Sequence, residues 1–141
     1  MLLIALTVIA DPLEIAFESN PSRGAILVKG MANGKPAQFL LDTGAAHTVL
    51  GAHIVGVSAM DLKLARFASE GPGLSGEALW HAANLKLGAR RWDNRTIVVM
   101  NLQSLGKIYG RRIDGILGQD LLAEFSRVTI DFKRRRILLE E

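Results

Sequence analysis

The chain has 141 residues, 49% of them hydrophobic and 22% charged, which gives material for one core and room for one domain. This balance excludes a disordered chain, and zero cysteines exclude a disulfide scaffold, a thiol nucleophile and a cysteine zinc site. With 17 Lys and Arg against 14 Asp and Glu the net charge is +3, too mild to argue for nucleic acid or a membrane surface.

Residues 1–10 (MLLIALTVIA) are apolar without a break. They are too few for a membrane span, which needs about 20 residues in a helix. Two readings stay open. One is a shortened secretory leader cut after Val8-Ile9-Ala10, with only the α-amino group as its basic region. The other is a first strand or ordered arm, since Ile4, Thr7, Val8 and Ile9 favour β structure. The compartment, cytoplasm or periplasm, follows from that choice, and the missing cysteines do not decide it. Asp11-Pro12 closes the segment, so residues 1–12 form an apolar N-terminal piece and 13–141 the domain.

From there short runs of Val, Ile, Leu and Phe alternate with 14 glycines, the rhythm of an all-β chain. Residues 25–31 (AILVKGM) and 36–41 (PAQFLL) read as strands. Asn33-Gly34 between them is a hairpin signal, because both residues accept positive φ. Residues 61–67 alternate and predict a strand, as do 79–87, where Leu79, Ala83, Leu85 and Leu87 share a face and Gly88 ends the run. Residues 96–100 (TIVVM) and the buried-looking 113–117 add two more. Asp120 is placed to N-cap one short helix through residues 121–125. Residues 128–131 and 137–139, turning at 133–136, complete a small closed β structure with a single short helix near the C-terminus.

Residues 39–50 (FLLDTGAAHTVL) carry the chemistry. A carboxylate at the end of a buried strand is costly unless something hydrogen-bonds to it, and Thr43-Gly44 supply a tight turn with backbone N–H groups close by. By itself, Asp-Thr-Gly also suits an Asx-turn that closes the strand. About seventy residues on, 114–122 (DGILGQDLL) bring an apolar pair, Ile116-Leu117, onto Gly118 and then a helix start. Apolar-apolar-Asp-Thr-Gly-Ala, a glycine-rich segment and then Ile-Leu-Gly, in that order, resemble the retropepsin-like aspartic proteases. These are the single-domain clan of the retroviral proteases, and the chain looks closest to their bacterial branch. The likeness extends over roughly residues 13–139.

That resemblance implies a small, closed, barrel-like fold and peptide hydrolysis by two carboxylates that share one proton. Two charges about 4 Å apart repel by about 4 kcal/mol at an effective dielectric of 20, so one carboxyl stays protonated and the pair titrates together. The chain has a single Asp-Thr-Gly. Two aspartates then require two chains, a C2 homodimer with Asp42 of each facing across the axis. By the same resemblance Thr43 hydrogen-bonds across the dimer beneath the dyad, and Gly44 meets the substrate backbone. Pepsin-like enzymes usually carry a serine where Ala45 stands. Alanine has no hydroxyl to stabilise an ionised carboxylate, which implies a weakly acidic to near-neutral optimum. Ile116, Leu117 and Gly118 support the site.

Residues 71–76 spell G-x-G-x-x-G (GPGLSG), but an alternating strand follows where a dinucleotide fingerprint needs a helix. By resemblance this is the flap, a glycine-rich hairpin that closes over bound peptide, with Gly73, Ser75 and Gly76 touching substrate; an ordinary surface loop is the plain alternative. Trp80 is expected in the core. His47, His53 and His81 lack the spacing of a zinc site and read as structural or surface residues. No metal or cofactor is implied. The basic run 133–136 (KRRR) has no interleaved aromatics and reads as a solvated turn, with no nucleic-acid partner expected. The expected partners are a second copy of the chain and an extended peptide. The other function class is a non-catalytic peptide-binding or dimerisation module on the same fold.

Overall fold

The computed structural model describes residues 3–4, 11–20, 24–68 and 77–141. In chain order they form β1 (Leu13–Asn20), β2 (Ala25–Ala32), β3 (Lys35–Leu41), β4 (Val49–Gly51), α1 (Ala52–Val55), α2 (Ala59–Ala68), β5 (Ala78–Leu87) and β6 (Arg90–Met100). There follow α3 (Gln103–Tyr109), β7 (Gly115–Leu117), α4 (Gln119–Leu122), β8 (Arg127–Asp131) and β9 (Arg136–Glu140). The expected hairpin joins β2 to β3, with Asn33 at φ 48° and Gly34 at φ 74° and pairing from Ala32↔Lys35 out to Leu27↔Leu40.

The strands pair in the order β3-β7-β4-β6-β5-β2-β1-β9-β8, and a further β3–β2 pairing closes the first six into a ring. Central strands bury both faces. Phe39 and Leu41 enter one core cluster with Val28, Leu50, Ile97 and Val99, while Leu40 enters a second with Leu27, Val49 and Val98. Both faces being apolar explains why Phe-Leu-Leu and Ile-Val-Val run without a polar break. The all-β class expected from the sequence holds.

The single helix does not hold: the described residues contain four. The largest correction is α2, where alternation over 61–67 predicted a strand. Ser58 and Asp61 form a reciprocal cap there. The Asp61 N–H donates to Ser58 Oγ at 3.0 Å, and the Asp61 carboxylate accepts the Ser58 N–H and hydroxyl at 2.9 and 2.7 Å. Such a cap satisfies first-turn donors and favours helix, and the buried Leu62 docks it on the core. α1 and α3 each end on a left-handed glycine, Gly56 and Gly110. Asp120 is not the cap of α4: Gly118 occupies that place, and the Asp120 side chain is engaged elsewhere. Trp80 is also not in the core. The pleat of β5 turns Leu79 inward and leaves Trp80 50% exposed.

Of residues 1–10 only Leu3 and Ile4 are described, both exposed; the others, and the glycine-rich segment 71–76, lie outside the described residues. Among the described residues no helix is long and apolar enough to cross a membrane.

Candidate active site

β7 lies between β3, which it pairs in parallel (Phe39↔Gly115, Leu40↔Ile116, Leu41↔Leu117), and β4, which it pairs antiparallel (Val49↔Ile116, Leu50↔Gly115). Two chain segments more than seventy residues apart therefore leave the sheet side by side, and each turns at once. The Asp42 N–H donates to Leu117 O at 3.1 Å, one step beyond the last paired position. The chain then folds back, with Ala45 N–H to Asp42 O at 3.2 Å and Gly44 N–H to Asp42 Oδ1 at 2.9 Å. Asp42 is half-buried at this tip, and Thr43 and Gly44 are exposed. Ala45 is also half-buried and presents no donor to the carboxylate from its methyl group.

The second segment holds this turn from behind. Gln119 donates from its backbone to Ala45 O at 2.7 Å and from its side chain to Thr43 O at 2.6 Å, and the Asp120 N–H reaches Ala46 O at 3.2 Å. Gly118 has to be glycine, because a Cβ there would sit 2.5 Å from the His47 carbonyl carbon and oxygen and 3.0 Å from Ala45 O. Thr48, 1% exposed, locks the two together. Its hydroxyl donates to Asp120 Oδ1 at 2.7 Å and accepts the Gly118 N–H at 3.1 Å, and its own N–H donates to the same Asp120 oxygen at 2.9 Å. Arg95 adds a hydrogen bond from Nη2 to Asp120 O at 2.9 Å and an ion pair to Glu124, so α4 is also tied to β6.

Among the residues singled out from the sequence, the structure brings together Asp42, Thr43, Gly44, Ala45 and Gly118. Half-buried Ile116 and buried Leu117 lie behind them in β7. Gly73, Ser75 and Gly76 fall outside the described residues. Sequence reasoning missed Thr48 and Asp120 as the clasp of the turn. It also missed an aromatic pair beside it, the exposed Trp80 ring set edge-on to His47 with centroids 5.0 Å apart. Strand alternation in β5 carried the signal for Trp80, since a residue following an inward Leu points outward.

The other Asp-Gly serves differently. Asp114, 2% exposed, stands one residue before β7, beside Gln38. Its Oδ2 accepts the Gln38 N–H at 2.9 Å, and its Oδ1 meets Arg112 Nε at 2.7 Å and His53 Nε2 at 2.8 Å. Burial pushes this carboxyl up, but the bonds from Gln38, Arg112 and His53 outweigh burial and hold it below the ordinary aspartate range. Its main chain is paired as well, to Gln38 O at 2.8 Å and from Gly51 N–H at 2.7 Å.

A mostly β domain with an Asp-Thr-Gly turn clasped by an Ile-Leu-Gly segment defines the class of the single-domain aspartic proteases. The family model described as aspartyl protease matches residues 28–121, more than half of the chain, and the chain belongs to that family. Among solved structures, a retropepsin-like aspartic protease from Rickettsia conorii is similar over 91% of this chain and 89% of its own, at 21% identity and a TM-score of 0.59. The retroviral protease-like domain of Ddi1 from Leishmania major is similar over 82% of this chain and 87% of its own, at 18% identity and a TM-score of 0.53. Both likenesses concern the fold. No curated protein matches the chain in sequence.

Proposed function

We propose that the chain is an aspartic endopeptidase whose working unit is a homodimer, with Asp42 of each copy forming the catalytic dyad. The observation that carries this reading is the state of Asp42. Its carboxylate stands at a clasped, exposed turn, and the hydrogen bond from Gly44 to Oδ1 is its sole side-chain bond among the described residues. Acid–base hydrolysis needs a second carboxyl to share the proton, and a single Asp-Thr-Gly supplies it through a second copy. In the dyad one carboxylate takes a proton from water as the water oxygen bonds to the peptide carbonyl carbon. The other carboxyl gives its proton to the carbonyl oxygen, and collapse of the resulting diol breaks the C–N bond as the amine takes up a proton. This chemistry calls for no metal or cofactor.

The substrate would be an extended peptide laid along the exposed peptide groups of Thr43 and Gly44 and covered by the segment of Gly73, Ser75 and Gly76. Ile116, Leu117 and Gly118 support the floor from behind. Trp80 and His47 offer an apolar, aromatic wall at one side. The second reading is a peptide-binding or dimerisation module without catalysis. The family membership supports peptidase chemistry over it.

The test is cleavage of a diverse peptide library read by mass spectrometry from acid to neutral pH. Wild type and Asp42→Asn are compared at concentrations where sedimentation shows a dimer. Cleavage in wild type alone, strongest at weakly acidic to near-neutral pH, is expected. A folded dimer that cleaves nothing in either form would favour the binding module, and a strictly monomeric but active chain would overturn the shared dyad.

A further inference from the structure

The bonds around Asp114 leave Arg112 in an unusual position. A buried carboxylate grips its guanidinium at Nε, and Gln38 Nε2 holds its backbone oxygen at 2.6 Å, yet the Arg112 side chain is 68% exposed. Its terminal nitrogens donate no hydrogen bond to a described residue. They are held at the junction of two hollows. The larger, about 660 Å³, has His53, Lys107, Arg111 and Arg112 around it and the buried side chains of Leu102 and Ile113 at its floor. The smaller, about 260 Å³, runs from Arg112 toward Lys29 and Pro36. Glu18 occupies Arg111 at 2.5 Å and Lys29 at 3.2 Å. Lys107 has no ion pair among the described residues.

An arginine fixed on one side by a buried acid has already lost the side-chain freedom that binding would otherwise cost, so its free edge suits a carboxylate or phosphate. The larger hollow is in the size range of peptide and ligand sites and far exceeds what a lone inorganic anion fills. Its apolar floor asks for a hydrocarbon side chain next to the charge. We infer that this groove, between α1, α3 and residues 110–113, docks an acidic peptide segment, with a Glu or Asp on Arg112 and Lys107 and a neighbouring apolar residue on Leu102 and Ile113. The site lies at the opposite end of the β3–β7 pair from Asp42, and the inference does not depend on Asp42 being catalytic.

The test uses the full chain carrying Asp42→Asn, so that no probe is cut, and a fluorescein-labelled decapeptide of alternating Glu and Leu read by anisotropy. The same peptide with Gln for Glu is the control, and inorganic phosphate is the competitor. The Glu peptide is expected to bind at least tenfold tighter than the Gln peptide, and to weaken when salt rises from 50 to 200 mM. Arg112→Gln should cost at least tenfold and Lys107→Gln severalfold, while Lys133→Gln, on a turn that does not line the groove, changes nothing. Lys107 is exposed and makes no ion pair among the described residues, so its variant keeps the test sharp even if Arg112→Gln melts early. Equal binding of the two peptides, or Glu-peptide binding untouched by Lys107→Gln, overturns the proposal. Phosphate binding as tight as the peptide overturns the peptide assignment.

Discussion

Asp42 and Asp114 stand at opposite ends of the same pair of strands. Four residues along β3, about 13 Å at strand rise, separate Asp42 from Gln38, the residue beside Asp114. Both follow an apolar residue and lie within two positions of a glycine, yet they are held in opposite ways. Asp114 is buried and saturated: both oxygens accept hydrogen bonds, and Arg112 and His53 face it. Asp42 is half-buried, with the Gly44 N–H on one oxygen. A saturated carboxylate is fixed in charge and place, which suits a structural clamp. One with free lone pairs can still hold water or share a proton.

Four substitutions would break or sharpen that contrast. The largest effect is expected from Asp42→Asn, which should lower kcat by on the order of 10⁴-fold while the melting temperature stays that of wild type. A matching loss of stability would mean that Asp42, too, is a clamp. Asp114→Asn should do the reverse, costing about 3 kcal/mol in urea unfolding because the buried hydrogen bonds and the ion pairs go together. The pH dependence has a definite sign. Asp114 is held below the ordinary aspartate value of about 3.9, so its stabilisation is present above about pH 4 and disappears as pH falls through its folded value. The stability gap between wild type and Asp114→Asn should therefore close in acid; a gap that widens there would refute the assignment.

Thr48→Val is expected to cost about 1–2 kcal/mol, by removing one of the two bonds from Thr48 to Asp120 Oδ1 and orphaning the Gly118 N–H. It should also reduce kcat more than KM, since the aspartate turn loses its backing. The smallest effect falls on Trp80→Ala, expected to raise KM about fivefold through lost aromatic contact with kcat within about twofold. Steady-state kinetics on one good library peptide separate the two.

The sequence and the structure agree where local chemistry decides alone. Asn33-Gly34 demands two left-handed residues and has them. The 128–139 hairpin formed as read, and alternation in β5 put Ala83, Leu85 and Leu87 inside. Disagreement arose where two local signals competed. Residues 61–67 alternate, yet the Ser58-x-x-Asp61 cap three positions upstream favours helix, and docking of Leu62 settles the contest. The Asp42 turn was legible because its motif is contiguous. The Thr48–Asp120 clasp and the Asp114 clamp were not, because each joins residues sixty or more positions apart whose meeting depends on the placement of β7.

The seat of β7 between an early parallel neighbour and an early antiparallel one also imposes an order of events on the newborn chain. A ribosome that has released residues 1–110 has released Asp42, Thr43 and Gly44 but neither Gly118 nor Asp120, so the turn has no backing and the ring has a gap between β3 and β4. Contacts at such sequence separation form late and slowly. The aspartate therefore acquires its final setting only after synthesis of nearly the whole domain. Amide exchange should carry the same signature. The Asp42 and Asp114 N–H groups, each bonded across that seam, should exchange only when the whole domain opens.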